Sequence, residues 1–217
     1  MSISTADEYV PGIVYGNLQR FIQCRGITSD YKFDTIDKFS TILKSYEYIY
    51  ILGKKDNYTV LILLIAPDSK YATKSPEFRK LLKPLVSKYT SGKTSSVLDI
   101  IIISELELTN HIVKAIGEEY KIKPTIHRIE LLTYDILKIV IPDHILVPKH
   151  TIADKSEVEE YCAEFHTSTD NFPKIWASDK MAIWIGAKPG DVVRIDSTSE
   201  TAGKSVKYRL CINSSSN

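Results

Sequence analysis

Residues 97–103 form a nearly unbroken apolar run, and this run limits the possible folds more than any other part of the chain. A strand with apolar side chains on both faces must be covered on both sides, which is typical of a central strand between layers of helices. Two runs of β-branched and aromatic residues, 46–52 and 58–66, are separated by the turn-forming residues 53–57 and predict a hairpin. The N-terminal half is therefore predicted to contain a sheet.

Apolar residues at helical spacing surround these strands. Helices are predicted after Pro11-Gly12, at residues 34–43, from Ser75 and after Thr109, and a further strand is predicted at residues 125–131. Within the helix from Ser75, Pro84 would favour a kink, and the buried stripe is predicted to be Phe78, Leu82, Leu85, Val86 and Tyr89. Strands that alternate with helices predict an α/β domain with its own core.

The predicted elements become shorter after Pro142, where we place a domain boundary. The predicted elements are a strand at 145–147, a helix at 154–165, a short helix after Asp179, and a terminal hairpin with strands at 191–196 and 206–212. The chain is thus predicted to be α+β overall. It would consist of an α/β domain with a mixed sheet and flanking helices at residues 1–142, and a small α+β domain with a mixed sheet at 143–217.

The composition excludes several classes of protein. The chain has 217 residues and a formal net charge of +1, so its bulk charge attracts neither nucleic acid nor membranes. Its three cysteines, Cys24, Cys162 and Cys211, are far apart and form neither a disulfide framework nor a CxxC metal knuckle. The first residues lack the basic and apolar regions of a secretory signal. We therefore expect an intracellular protein without a membrane partner.

Motifs for catalysis and cofactor binding are incomplete. Residues 92–94 and 203–205 resemble the end of a phosphate-binding loop but lack its earlier glycine. Asp68, Glu105 and Glu107 resemble the acidic Mg²⁺ cluster of a nuclease, yet neither glutamate is followed two residues later by a lysine that would help to activate water. We expect no catalytic residue, no metal, no cofactor and no small-molecule substrate.

Two groups of side chains in the C-terminal half allow either a structural or a binding role. His144 and His150 could approach each other, but without cysteine or carboxylate neighbours they favour hydrogen bonds to the backbone over zinc. Trp176 and Trp184 form the densest aromatic cluster, which could be part of the core or of an interface with a partner, since tryptophan is enriched in both.

Several motifs in the last third of the chain occur together in one order. They are His144-Ile145-Leu146-Val147-Pro148-Lys149-His150, Phe172-Pro173-Lys174-Ile175, Ser178-Asp179, residues 186–193, residues 199–203 and Tyr208-Arg209-Leu210. In this order and spacing they resemble the assembly domain of the fifth subunit shared by the eukaryotic nuclear RNA polymerases, a domain that is equivalent to a small subunit of the archaeal enzyme. Upstream, residues 18–27, including Arg25-Gly26, resemble the N-terminal jaw domain of the eukaryotic members.

This resemblance implies a non-catalytic subunit of a multisubunit DNA-directed RNA polymerase. The assembly domain would bind the largest subunit and neighbouring small subunits, and the jaw, which has a nuclease-like fold in the family, would line the path of downstream duplex DNA. Lys93 and Lys114 are the predicted DNA-proximal residues, because lysines contact phosphates without reading sequence. The predicted partner-binding residues are His144, Pro148, His150, Pro173, Gly186, Gly190, Ser199, Glu200, Thr201, Gly203, Tyr208 and Arg209.

The chain departs from the family's pattern at several motif positions. Lys180 stands where members usually have proline, and residues 196–198 lack the basic residue that is common before Ser199. The jaw's Thr-Pro-Ser-Ala helix start is present only as Thr109-Asn110-His111-Ile112. A fast-diverging copy carried by a large DNA virus with its own polymerase would explain these departures. Such a copy would be found in the virion or a cytoplasmic viral factory, and a cellular copy in the nucleus.

Two other functions stay open from the residues alone. The first is an Mg²⁺-dependent nuclease of the same jaw fold, which would use Asp68, Glu105 and Glu107. The second is a free-standing transcription regulator that binds DNA by itself, which a net charge near zero disfavours.

Overall fold

The computed structural model describes residues 6–29, 36–66, 69–90, 97–105, 107–120, 124–199 and 203–213. The chain forms two compact units, Met1–Ile139 and Val140–Asn217, and each unit has a four-stranded sheet of its own. In these described ranges, no helix is both long and apolar enough to cross a membrane. The roles of jaw and assembly domain for the two units remain predictions.

The N-terminal unit is built around a mixed sheet with strand order β1-β2-β3-β4. The pair β1/β2 is antiparallel, and β2/β3 and β3/β4 are parallel. Its elements are α1 (Ala6–Cys24), α2 (Ile36–Tyr46), β1 (Tyr48–Lys55), β2 (Tyr58–Ile65), α3 (Lys70–Thr73), α4 (Ser75–Thr90), β3 (Val97–Ser104), α5 (Asn110–Tyr120), β4 (Ile126–Thr133) and a 3₁₀ turn (Tyr134–Leu137).

Both faces of β2 and β3 are covered. Leu63 belongs to a core that includes Phe78 of α4 and Ile112 of α5. Ile62 and Ile101, which are register partners and point to the opposite face, are also buried. The prediction that the apolar run at 97–103 is a central strand is therefore confirmed, and so is the hairpin before it.

The helices differ from their predicted form in two details. Helix α1 begins at Ala6, before Pro11-Gly12, so the predicted start is wrong. Pro11 is the sixth residue of this helix, and because proline has no N–H, the helix lacks one backbone hydrogen bond near its start. In α4 the most buried residues are Phe78, Leu81, Leu82 and Val86, whereas Leu85 and Tyr89 are only partly buried. Leu81 takes the place in the stripe that the sequence predicts for Leu85.

Gly53 lies where two chain segments come too close for a side chain. Thr28 N donates to Lys54 O at 2.9 Å, and Lys54 N donates to Thr28 O at 2.8 Å. A Cβ atom at Gly53 would clash with the Ile27 side chain and lie 3.0 Å from Thr28 O. The bridge between Thr28 and β1 therefore depends on glycine at this position.

Gly53→Ala is expected to destabilise the N-terminal unit by about 1–3 kcal/mol, because the bridge must move away from β1. The measurement is denaturant unfolding followed by helical circular dichroism. Gly16→Ala is the matched control: Gly16 is exposed in α1 with nothing within 4 Å of a Cβ, so this change should stabilise the helix by about 0.5–1 kcal/mol. Equal effects of the two substitutions would contradict the close approach.

The C-terminal unit has a second mixed sheet, with strand order β5-β7-β8-β6. Strands β6 and β8 are parallel, and the other two pairs are antiparallel. Its elements are a 3₁₀ turn (Ile141–Asp143), β5 (Lys149–Ile152), α6 (Lys155–Glu164), a 3₁₀ turn (Thr169–Asn171), β6 (Lys174–Trp176), α7 (Lys180–Ile185), β7 (Val192–Ser199) and β8 (Gly203–Ile212). With the N-terminal sheet, this confirms an α+β chain with two mixed sheets.

The short helix α7 is fixed at both ends and covers one face of this sheet. Asp179 Oδ1 accepts hydrogen bonds from the backbone N–H groups of Met181 at 2.8 Å and Ala182 at 3.4 Å. The helix ends at Gly186, whose φ of 73° suits a residue without a Cβ. Met181 then packs in one core with Val193 of β7. The terminal hairpin is thus docked on α7.

The strand predicted at residues 145–147 is wrong, because Ile145 and Leu146 lie in a turn and the strand of this region is β5, Lys149–Ile152. A run of three aliphatic residues is too short to specify a strand when its neighbours offer local hydrogen-bond partners. Strand β6 is missing from the predicted elements, since it has only three residues and follows Pro173.

Candidate partner-binding surface of the C-terminal unit

Residues 144–148 form a turn that is held by its own hydrogen bonds, and we name it the aliphatic turn. His144 Nδ1 accepts a hydrogen bond from Leu146 N at 3.2 Å, and Val147 N donates to His144 O at 2.9 Å. Just beyond the turn, His150 Nδ1 lies 2.7 Å from Pro148 O and must donate, because a carbonyl only accepts. Both histidines therefore form hydrogen bonds to the nearby backbone, as predicted from the sequence.

The aliphatic turn exposes two large apolar side chains next to each other. Ile145 is 95% exposed and Leu146 is 82% exposed. Val147, by contrast, packs against the core of the C-terminal unit and ties the turn to it. Adjacent aliphatic side chains held in water by a fixed backbone are typical of a surface that a partner covers, because single exposed apolar residues are common but clustered ones are not.

On the face of the C-terminal sheet opposite α7 lies a group of polar side chains that we name the carboxylate network. Its members are Glu157, Arg194, Asp196 and Tyr208. Glu157 Oε1 accepts from Tyr208 Oη at 2.7 Å and from Arg194 Nη1 at 2.7 Å, and so joins α6 to the hairpin. Arg194 Nε also donates to Asp196 Oδ1 at 2.8 Å. The Tyr161 ring lies 4.6 Å from the Tyr208 ring and continues the contact along α6.

The network shifts the acid–base equilibria of its members. The hydrogen bond from Tyr208, together with that from Arg194, lowers the pKa of Glu157 from its ordinary value of 4.5. Burial and the hydrogen bond to Glu157 raise the pKa of Tyr208 to about 12. The ionised carboxylate is therefore the form of Glu157 that stabilises the packing of α6 on the sheet.

The lowered pKa of Glu157 makes the stability of the C-terminal unit depend on pH. The contribution of ionised Glu157 is present above pH 4.5, the ordinary pKa of the group, and is lost as the pH falls through the lower folded-state pKa. Glu157→Gln should therefore lower the stability at neutral pH by about 1–3 kcal/mol and flatten its decline in acid. Both tryptophans of the chain lie in this unit, so denaturant unfolding followed by tryptophan fluorescence measures it. An unchanged acid slope would contradict this role.

Comparison with known proteins gives a specific match to the C-terminal unit. Residues 139–211 match the family model for the C-terminal domain of RNA polymerase Rpb5. The DNA-directed RNA polymerase subunit Rpo5 of Methanocaldococcus jannaschii is 50% identical over 72 residues, which cover 33% of this chain and 92% of that subunit. The chain belongs to the Rpb5/Rpo5 family of RNA polymerase subunits. The Rpo5 subunit of Archaeoglobus fulgidus, 47% identical over 76 residues, matches along 100% of its length and 35% of this chain.

A viral member of the Rpb5/Rpo5 family matches most of the chain. The RPB5 homolog of African swine fever virus (isolate Warthog/Namibia/Wart80/1980) is 26% identical over 175 residues, which cover 80% of this chain and 83% of the viral protein. The two archaeal relatives cover 33% and 35% of this chain, whereas the match to the viral relative is long enough to include part of the N-terminal unit. The resemblance predicted from the motifs is thus confirmed.

All of the predicted partner-binding residues lie in the family-matched segment, residues 139–211. His144, Pro148 and His150 lie in or beside the aliphatic turn. Pro173 and Arg209 lie beside each other where β6 meets β8, because Pro173 O accepts from Leu210 N at 2.9 Å. That these residues bind a partner protein remains a prediction.

The remaining predicted residues are at turns, in the carboxylate network or outside the described ranges. Gly186 ends α7 with a φ of 73°, and Gly190 ends the following turn with a φ of 98°. Both glycines therefore serve to form these backbone turns. Tyr208 is in the carboxylate network. Ser199 and Gly203 pair at the end of the hairpin. Glu200 and Thr201 lie outside the described residues.

The structure brings out surface residues that sequence reasoning missed. The apolar pattern places Ile145 and Leu146 in a strand, although their position between His144 and Pro148 could have indicated a turn. Of the tryptophan pair, Trp184 is fully buried and belongs to the interior, whereas Trp176 is 47% exposed. Trp184 is therefore part of the core, whereas Trp176 has the exposure that contact with a partner would require.

The residues considered for DNA and metal binding lie in the N-terminal unit. Lys114 projects from α5 with its side chain 78% exposed and its Nζ 4.0 Å from Glu118 Oε1. Lys93 and Asp68 lie outside the described residues, and Glu105 and Glu107 are exposed. Within the described ranges, no three histidine, cysteine or acidic side chains come together as a metal site. The nuclease alternative therefore gains no support from this part of the chain.

Proposed function

We propose that this chain is a non-catalytic subunit of a multisubunit DNA-directed RNA polymerase and that its C-terminal unit binds the largest subunit. The observation that carries this proposal is the aliphatic turn, which exposes Ile145 and Leu146 inside the segment that matches the Rpb5 C-terminal domain. Neighbouring small subunits would contact the same unit. The chemistry of nucleotide addition would be carried out by other subunits, so the isolated chain should be inactive.

The aliphatic turn has the properties of an energetic hot spot. Burial of a leucine or isoleucine side chain contributes roughly 1.5–3 kcal/mol, and little of this is cancelled by lost backbone entropy when the turn is already fixed by hydrogen bonds from Leu146 N and Val147 N. The exposed imidazole of His144 beside it would form part of a polar rim. An apolar pocket on the largest subunit is the complementary feature.

For the N-terminal unit we propose the role of a jaw with a nuclease-like fold that lines the path of downstream duplex DNA. Support comes from its mixed sheet flanked by helices and from the exposed lysine Lys114 on α5. A nuclease-like fold is compatible with a structural role, because fold does not dictate chemistry. The match to a viral relative supports a viral copy in the virion or a cytoplasmic factory, and a cellular copy would be nuclear.

The DNA role is tested by charge reversal at Lys114. Because the net charge of the chain is +1, the free protein should give weak or no gel shift with duplex DNA at physiological salt, whatever the residue at this position. Within the assembled polymerase, Lys114→Glu should weaken binding of downstream duplex by about two- to tenfold and reduce its salt dependence. Lys180→Glu, at an exposed position of α7 in the other unit, is the control. Tight binding of DNA by the free chain would instead favour a free-standing regulator.

The subunit role is tested by affinity purification of a tagged copy from cells that contain its polymerase. The largest polymerase subunit should be recovered together with the tagged chain in near-equal amounts and should remain after washing at moderate salt. Recovery of the chain without any polymerase subunit would contradict the proposal. Mg²⁺-dependent cleavage of plasmid DNA by the pure chain would favour the nuclease alternative.

A further inference from the structure

Strand β8 is longer than the strand that covers its outer side. Its inner side pairs with β7 from Gly203 to Leu210, whereas on its outer side β6 pairs only with residues 210–212. Strand β6 cannot continue along β8, because Pro173 precedes it and has no backbone N–H. In the described part of the chain, residues 203–207 of β8 therefore have no strand on this side, and we name this segment the β8 edge.

The direction of the backbone groups follows from the hydrogen bonds at the end of the strand. Leu210 N donates outward to Pro173 O at 2.9 Å, and Cys211 N donates inward to Asp191 O at 2.8 Å. Since successive residues of a strand alternate in direction, the N–H and C=O groups of Val206 point outward like those of Leu210. The β8 edge thus presents backbone donors and acceptors in the spacing that an added strand requires.

The side chains beside the β8 edge are basic. Lys207 is opposite Ile195 and Arg209 is opposite Val193, so both project from the same face of the sheet. Both are exposed, and in the described part of the chain no carboxylate forms an ion pair with either one. A second copy of the chain would place like charges opposite each other, so charge favours a different occupant.

We propose that the β8 edge binds an extended segment of another polymerase polypeptide by strand addition, and that this segment carries acidic residues at alternate positions. Backbone hydrogen bonds to Val206 would supply much of the affinity, and carboxylates would pair with Lys207 and Arg209 on one face. The proposal rests on the proposed function as a polymerase subunit. It adds a second partner contact, on the terminal hairpin, to the contact proposed for the aliphatic turn.

The test compares two variants of Val206 in the full-length tagged chain. Val206→Pro removes the outward N–H while leaving the ladder to β7 intact, and it should reduce the recovered polymerase at least about tenfold without altering unfolding of the free chain. Val206→Ala keeps the N–H and should retain polymerase almost as well as the unchanged protein. Val206 is 43% exposed, so neither variant opens a cavity in the core.

Hydrogen exchange provides a second measurement. The amide of Val206 should exchange at least tenfold more slowly in the purified polymerase than in the free chain. If the unchanged chain recovers polymerase but Val206→Pro does so equally well and exchange is unaltered, strand addition is wrong and the subunit function stands. If the unchanged chain recovers no polymerase, the subunit function fails, and strand addition fails with it. Protection in the free chain that rises with its concentration would indicate a second copy and would also overturn the proposal.

Discussion

Replacement of Ile145 and Leu146 together by aspartate is expected to reduce the polymerase recovered with the chain by at least about 30-fold. The two side chains are 95% and 82% exposed in the free chain, so under the proposed binding they would supply apolar contacts in the complex, which the charged residues would remove. Loss of a hot spot costs at least about 2 kcal/mol, which corresponds to this factor. The measurement is quantitative recovery of the largest subunit with the tagged variant.

The same exposure predicts that this double variant folds normally. Its free energy of unfolding should match that of the unchanged protein within about 0.5 kcal/mol, since exposed substitutions rarely affect stability more than this. Val113→Asp is the matched control, because Val113 is an aliphatic residue on α5 that is 42% exposed and lies in the other unit. Undiminished recovery of polymerase with the double variant would contradict the role of the aliphatic turn.

Glu130→Ala is expected to destabilise the N-terminal unit by about 3–5 kcal/mol, the usual cost of removing one member of a buried ion pair. The Arg25 side chain is only 3% exposed, and its two terminal nitrogens donate to the Glu130 carboxylate at 2.7 and 2.9 Å. The guanidinium also lies 4.3 Å from the centre of the Phe21 ring. The change would remove the Glu130 carboxylate from Arg25 and also from Arg128, whose Nε lies 3.1 Å from Glu130 Oε1. Unfolding followed by helical circular dichroism measures the effect.

The exposed pair Lys80–Glu77 is the control for this ion pair. Its Nζ–Oε1 distance is 3.1 Å, but the lysine side chain is 73% exposed, so Lys80→Ala should change the free energy of unfolding by no more than about 0.5 kcal/mol. A similar small effect of Glu130→Ala would show that the buried pair does not hold the end of α1 against β4. The Arg25-Gly26 motif would then need another explanation.

The parts of the fold that could be predicted from sequence are those with a local signal. The apolar run of β3 indicates a strand covered on both faces, and the terminal hairpin and Asp179 cap are defined by turn and capping residues close in sequence. The motifs of the C-terminal third predict the family because several of them agree in order. Each of these features depends on residues within one element or its flanks.

The features that escaped prediction depend on residues far apart or on the balance between local bonds. Arg25 and Glu130 are 105 positions apart, and Glu157 and Tyr208 are 51 positions apart, so no periodicity connects them. The aliphatic turn looks like a strand by composition, but hydrogen bonds from Leu146 N and Val147 N to His144 hold it as a turn. Surfaces for partners are hard to predict for the same reason, because exposure is a property of the folded chain.

Binding of the aliphatic turn to the largest polymerase subunit is tested most directly by site-specific photocrosslinking. A photoreactive amino acid at Leu146 of the full-length chain, activated in the purified polymerase, should form a covalent adduct with the largest subunit. The same group at Val113, on α5 of the other unit, serves as the comparison. A crosslink from position 146 to the largest subunit is the predicted result. A polymerase that contains the chain but shows no crosslink from position 146, or one to a different polypeptide, would contradict this binding.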